Sequence, residues 1–342
     1  LNRRSTRVSG HRKTAVLLLF LAIVTTALPG NTQSYVKPEL TTKSLDELER
    51  LASAGNVDAQ YALGRVHYDG KRCLSKNYVE AFKWLSKAAE QGHASAIHVT
   101  GWMFMYGQGV VRQPAEGLSR WRDAAARGLP KAMNMLGYAY ENGVGVDRDY
   151  GASLDWYRAA ADAGDSNAAN NAGNLFSAGK GIAVNRAKAI EWWQRAADMD
   201  NGPAQYNLGL AYEQGNGVAR DFRKAARLYE RAGDKGFFWP MYRLGRLYEL
   251  GLGVEKNDGL AAIWYRKSAM HRYAPAQYAY GRMLEQGRGL LRNVREAAEQ
   301  YGLAAKAGHL PATTNRKRLE DSHPPDFFKP RKQKSRKNDC LS

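Results

Sequence analysis

Apolar and small residues recur along the chain with a period of 36, counted from Gly101, Gly137, Gly173, Gly209, Gly245 and Gly281. Five residues before these glycines stand Ala96, Ala132, Ala168, Ala204 and Ala276, and one residue before stand Leu136, Leu208 and Leu244. Three residues after come aromatics: Phe104, Tyr140, Phe176, Tyr212 and Tyr248. Steps of four keep to one face of a helix, so the spacing predicts a helix A from about eight residues before the glycine to about four after. A second set follows. Position +16 is small (Gly117, Ser153, Ala189, Ala225, Ala261, Ala297), positions +19 and +20 are large (Trp156-Tyr157, Trp192-Trp193, Trp264-Tyr265), and a small pair comes next (Ala124-Ala125, Ala160-Ala161, Ala196-Ala197). This predicts a helix B from about +14 to +26. Its small residues let it lie against helix A, and its aromatics fill the space between units. Between the helices sit a Gly-x-Gly pair, such as Gly143 and Gly145, and a branched residue at +9, such as Val146 or Val254. Glycine takes the left-handed conformation that ends a helix, and the branched residue plugs the loop.

A period of this size with helical content describes stacked hairpins rather than one globular core. The first unit fits after one inserted residue. Gly64 and Gly70 hold register, and Ala81, Trp84-Leu85, Ala88-Ala89 and Gly92 are displaced by the insertion in Lys71-Arg72-Cys73. Residues 57–312 therefore form seven hairpins, and the expected fold is an all-α, right-handed superhelical α/α solenoid. Ahead of it, Ser44 with Glu47 three residues on starts a capping helix through Leu45, Leu48, Leu51 and Ala52, so 31–56 are linker and cap. Behind it, Pro311 and Ala312 open a further helix A that turns polar at Asn315-Arg316-Lys317-Arg318; 313–342 are the end of that cap and a basic tail, expected to be disordered from His323 onward.

The motif Ala, Leu-Gly, aromatic, Gly-x-Gly-Val, small residue, Trp-Tyr, Ala-Ala, Gly resembles the Sel1-like repeat family, a tetratricopeptide-related class; Ala132–Gly164 and Ala204–Gly236 follow it closely. The resemblance implies a scaffold that binds proteins or peptides, with no shared catalytic residues and no cofactor. Family members assemble membrane or envelope complexes, and some bacterial ones act at the host interface. A cysteine-rich secreted branch, linked to β-lactam binding, has a disulfide in each repeat; Cys73 and Cys340 alone provide no such framework.

Export is read from the N-terminus. Residues 1–30 hold a basic stretch, an apolar run from Ala15 to Val24 and the small residues Thr25-Thr26-Ala27 of a cleavage site. This predicts a signal peptide and a periplasmic or secreted protein, with an uncleaved anchor as the other reading. The net charge of +18 is uneven: five cations without an acid in 1–30, nine against four acids in 316–342, and +8 on the body between. A mildly basic body is not a nucleic-acid footprint, and no specific nucleic acid is expected. The tail Lys329–Lys337 is a candidate contact for an anionic surface.

The Gly-x-Gly pairs are turns and not phosphate loops, since no strand precedes them. No histidine spacing suits a metal. Cys73, between cationic neighbours, is at most a reactive loop thiol. Departures from the repeat are the better candidates, because stacking does not demand them. Phe238 and Trp239 replace the usual small residues at one junction and suit a protein hot spot. Asn134, Asn170, Asn171 and Asn174 make the middle helix A faces polar, where amides could hold an extended peptide backbone or a glycan. The function expected is an exported, non-enzymatic scaffold binding a protein or peptide along its groove. The alternatives are a peptidoglycan- or β-lactam-acting envelope protein and an ER-luminal quality-control adaptor.

Overall fold

Polar residues that cannot extend a helix open most of the helices, and glycine closes those of the A series. Asn56, Asp165 and Asn201 each accept the backbone N–H three residues ahead through the side-chain oxygen; His93 and His309 do the same through Nδ1. Each helix A then stops at the first glycine of the Gly-x-Gly pair. Gly251, for example, has φ +68° and donates its N–H to Leu247 O. The chain runs on as a loop pinned by the N-cap residue of helix B, as when Asn257 N–H donates to Tyr248 O.

The computed structural model describes residues 36–71 and 74–328, and among these every regular element is helical. Two elements precede the array, α1 (Pro38–Thr41) and α2 (Leu45–Ser53). The repeat helices follow: α3 (Val57–Asp69) pairs with α4 (Tyr78–Glu90), α5 (Ala94–Tyr106) with α6 (Pro114–Ala126), and α7 (Pro130–Asn142) with α8 (Tyr150–Asp162); next come α9 (Ser166–Ala178) and α10 (Arg186–Asp198); then α11 (Gly202–Gln214) pairs with α12 (Phe222–Asp234), α13 (Phe238–Leu250) with α14 (Asp258–Met270), and α15 (Ala274–Gln286) with α16 (Val294–Lys306). The helix α17 (Leu310–Asp321) and a 3-10 turn (Pro325–Phe328) close the described part. The chain divides into two compact units, Leu1–Asn185 and Arg186–Ser342, with the boundary in the loop between α9 and α10.

Within each unit the period has a steric cause. The ring at +20 (Trp121, Tyr157, Tyr229, Tyr265, Tyr301) is fully enclosed. It rests on the repeat glycine of its own hairpin: a Cβ on Gly137 would lie 2.5 Å from Tyr157 Cδ1, and one on Gly245 would lie 2.7 Å from Tyr265 Cδ1. The pattern alone assigned these rings to the space between units; the glycine beneath them places them inside the hairpin. Contact between neighbouring hairpins uses the second loop glycine. Gly253 has φ +71°, and a Cβ there would sit 2.3 Å from the Phe222 carbonyl carbon of the preceding hairpin. The branched residues at +9 are half-buried in these loops.

Two hairpins lack the glycine that closes helix B in the others. Asp200 and Arg272 adopt φ +63° and +61° in its place. A left-handed backbone costs a residue with a Cβ about 1 kcal/mol, so Arg272→Gly is expected to stabilise the protein by roughly 0.5–1 kcal/mol in urea unfolding; a loss of stability would mean that the Arg272 side chain holds the turn.

The ends are more ordered than the pattern suggests. Residues 36–43, read as linker, contain α1, and Leu40 is buried there beside Leu48, Ala52 and Leu63. Ser44 Oγ accepts from Glu47 N–H as expected, while the Glu47 carboxylate turns to Lys43. At the other end α17 buries Ala312 and Leu319, and the expected disorder does not begin at His323, whose ring packs on Phe327 and Phe328 at 4.6 and 5.6 Å. The predicted signal peptide, Cys73, Cys340 and the Lys329–Lys337 run lie outside the described residues.

Candidate functional site

Position −3 of helix A marks one row of side chains in each unit. In the second unit it holds Tyr206, Tyr242 and Tyr278. These are bodies of an aromatic strip. The Trp239 ring lies 6.2 Å from Tyr206 and 4.3 Å from Phe238; Phe238 lies 5.4 Å from Tyr273, which meets Tyr242 edge-on at 5.5 Å. His271 stacks on Phe238, and His309 packs at a tilt on Tyr278 at 4.6 Å. Phe238 is half-buried among these rings, and Trp239 is 42% exposed. A large ring held in place yet open to solvent loses little freedom when a partner covers it.

In the first unit the row is Tyr61, His98, Asn134 and Asn170. Asn171 Nδ2 donates to Asn134 Oδ1 at 3.1 Å, tying α9 to α7. Asn170 is buried and Asn174 is exposed, and neither is unpartnered. The structure thus joins Asn134 to Asn171, and Phe238 to Trp239. The amides and the aromatics lie in different units.

A second row, at position +4, is a carboxylate ladder that the sequence pattern did not bring out. Glu141, Glu213, Glu249 and Glu285 each accept the hydroxyl of the buried tyrosine of their own hairpin, Tyr157, Tyr229, Tyr265 and Tyr301, at 2.6–2.8 Å. Each also takes a cation from the next hairpin or cap: Lys180 on Glu141, Arg243 on Glu213, Arg282 and Arg288 on Glu249, and Arg318 on Glu285. Burial, then the adjoining carboxylate, pushes these four tyrosine hydroxyls far above their usual range, so they remain donors at every pH the fold meets. No group of three or more metal-ligating side chains occurs among the described residues.

Seven segments match the Sel1 repeat: residues 57–93, 94–128, 130–165, 166–201, 202–237, 241–273 and 274–309. The chain belongs to the Sel1 repeat family. No curated protein matches this Sel1-repeat chain. Among solved structures it is similar to c5321, a protective antigen present in uropathogenic Escherichia coli strains, with 30% identity, a TM-score of 0.70, and coverage of 83% of this chain and 61% of that one. The Sel1-repeat chain thus spans less than two thirds of that protein. It is also similar to a Sel1 repeat protein from Oxalobacter formigenes, with 29% identity, a TM-score of 0.62, and coverage of 77% of this chain and all of that one. Sel1 repeats build scaffolds that contact other proteins, and the family is typically non-catalytic.

A groove of about 590 Å³ lies in the first unit of this Sel1-repeat chain. The start of the described chain supplies an apolar wall with Val36, Leu40 and Leu48, and Tyr61 and Trp102 line it further. Its charged groups are Arg65, Lys71 and Lys131, with Asp69 as the acid, and Thr41, Tyr68 and Ser95 add hydroxyls. His98 lines it too. Burial, then Lys131 and Arg65, lowers this imidazole to about 4, so it is neutral near pH 7. A lone −3 histidine carried no recognisable motif, which is why the pattern passed over it.

Proposed function

We propose that this protein is an exported scaffold that holds protein partners on the helix A rows of its repeats, with Phe238 and Trp239 as the anchor. The observation that carries the reading is the aromatic strip of the second unit. Five rings from three successive hairpins are packed against one another, and one of them, Trp239, stays open to solvent. Pre-ordered rings on rigid helices bind without a large loss of side-chain freedom, which favours protein recognition over enclosure of a small molecule. The Asn134–Asn171 pair adds amides suited to a peptide backbone. The basic tail is a further contact for an anionic surface.

Export rests on the basic and apolar composition of residues 1–30. Among the described residues no helix is long and apolar enough to cross a membrane. N-terminal sequencing of the chain recovered from the cell envelope or medium is expected to begin after Ala27; recovery of an intact N-terminus would replace the secreted scaffold with an anchored one.

The binding reading is tested by crosslinking in the native envelope, comparing the parent with Phe238→Ala/Trp239→Ala. One partner enriched by the parent and reduced tenfold or more by the double variant is the expected result. Equal recovery by both chains would remove the strip from the interface.

A further inference from the structure

In the second unit Arg243, Arg282, Arg288 and Arg318 each meet a ladder glutamate. The first two hairpins have no such glutamate. Position +4 is Tyr68 and Met105 there and Ser177 in the fourth repeat, while Glu141, Glu213, Glu249 and Glu285 occupy it in the other four. The cations remain. Arg65 stands one residue after its repeat glycine, the register that Arg282 uses to reach Glu249. With no preceding hairpin to supply a glutamate, Arg65 turns one terminal nitrogen to Asp69 of its own helix, at 3.0 Å. Lys71 shares the same carboxylate at 3.6 Å. Lys131, on the first turn of α7, has no ion pair among the described residues. The groove therefore carries three cations against one acid.

His98 adds an independent sign. Its Nδ1 is closed off from solvent and has no hydrogen-bond partner. A bare lone pair is cheaper to bury than an unbonded N–H, so the neutral ring keeps its proton on Nε2. The groove then presents guanidinium and ammonium donors beside an apolar wall, with Asp69 as its one acid and the hydroxyls of Thr41, Tyr68 and Ser95 as further polar groups. An acceptor of negative charge with apolar neighbours matches that lining.

We propose that this groove in the first unit docks an acidic segment of a protein partner, seating a glutamate or aspartate carboxylate against Arg65, Lys131 and His98 and an apolar neighbour against Leu40 and Trp102. The bound carboxylate takes the place that a ladder glutamate fills in the later hairpins. Charge complementarity selects this occupant. The chain's own ends are poor candidates, because residues 1–30 hold five cations and no acid and residues 316–342 hold nine against four. The site is independent of the Phe238–Trp239 strip, so either can fail while the other stands.

The probe is a fluorescein-labelled peptide of alternating glutamate and leucine, compared with its glutamine–leucine counterpart, titrated with the full chain and read by anisotropy. Saturable binding of the acidic peptide, at least tenfold tighter than the glutamine peptide and weakened by added salt, is expected. Lys131→Glu should weaken it at least tenfold. That variant leaves the fold intact, since Lys131 is exposed and an acid suits the first turn of a helix. The His98 ring proton resonances should shift with saturation. Equal binding of the two peptides, unchanged affinity in Lys131→Glu, no saturation, or saturation without a His98 shift would overturn the proposal. Binding seen only after removal of residues 1–35 would identify the chain's own N-terminal segment as the occupant and overturn it as well.

Discussion

Gly245→Val is expected to destabilise the protein by about 3 kcal/mol, and Gly245→Ala by about 1–2 kcal/mol, read as shifts of the urea midpoint. On helix propensity alone the alanine should help, by roughly 1 kcal/mol. Packing decides the sign. The new Cβ would stand 2.7 and 2.8 Å from two atoms of the Tyr265 ring, and that ring is enclosed on all sides with its hydroxyl held by Glu249 at 2.7 Å. It cannot swing away without giving up that bond. A leucine in place of the ring still demands the glycine, since a Cβ on Gly64 would lie 2.6 Å from Leu85 Cγ in the first hairpin. Tyr265→Ala in the Gly245→Ala background removes the clash and should therefore cost less than the sum of the two single changes. The double-mutant cycle is expected to give a coupling of about 1 kcal/mol or more. If Gly245→Ala is as stable as the parent, the ring-on-glycine contact is not the reason for the period.

That contact also explains what could be read from the sequence. A steric requirement recurring every 36 residues forbids every side chain at one position, so it leaves an unbroken row of glycines. Loop glycines with left-handed backbones leave a second row. Helix bounds followed from them to within about a residue, as α7 and α8 show around Gly137. The carboxylate ladder was equally periodic, yet a glutamate near the end of a helix A resembles an ordinary solvated one. Its meaning depends on a tyrosine 16 residues on and a cation 30–39 residues on, and only the folded register brings them together. The same holds for the pairing of Asn134 with Asn171 and for the contact of Phe238 with Tyr273, which comes from the following hairpin. The stretch 36–43 looked like linker because one buried leucine in a polar segment leaves no period to detect.

Glu249→Gln is expected to cost about 2–3 kcal/mol at pH 7 and to flatten the acid limb of the stability curve. Glu249 joins three donors from two hairpins: Tyr265 at 2.7 Å, Arg282 at 2.8 Å and Arg288 at 2.9 Å. Burial alone would push its carboxyl up. The Tyr265 hydroxyl and the two guanidiniums outweigh burial and hold it below the usual carboxylate range. A carboxyl lowered in the folded state stabilises the fold above its unfolded value, about 4.3, and that contribution is lost as pH falls through the folded value. Parent and variant should therefore differ most near neutral pH and converge as pH falls through the folded value. Part of the acid limb persists in the variant, because Arg288 also holds Asp258 low, chiefly through their hydrogen bond. Tyr265→Phe separates packing from polarity. It keeps the ring on Gly245 and removes only the hydroxyl, for an expected cost of about 1 kcal/mol. Urea unfolding of the three proteins from pH 3 to pH 8 supplies the measurement. A Glu249→Gln chain that retains the parent's loss of stability toward acid would show that the ladder carboxylates are solvated charges, and that neighbouring hairpins are joined by loop glycines and apolar contact alone.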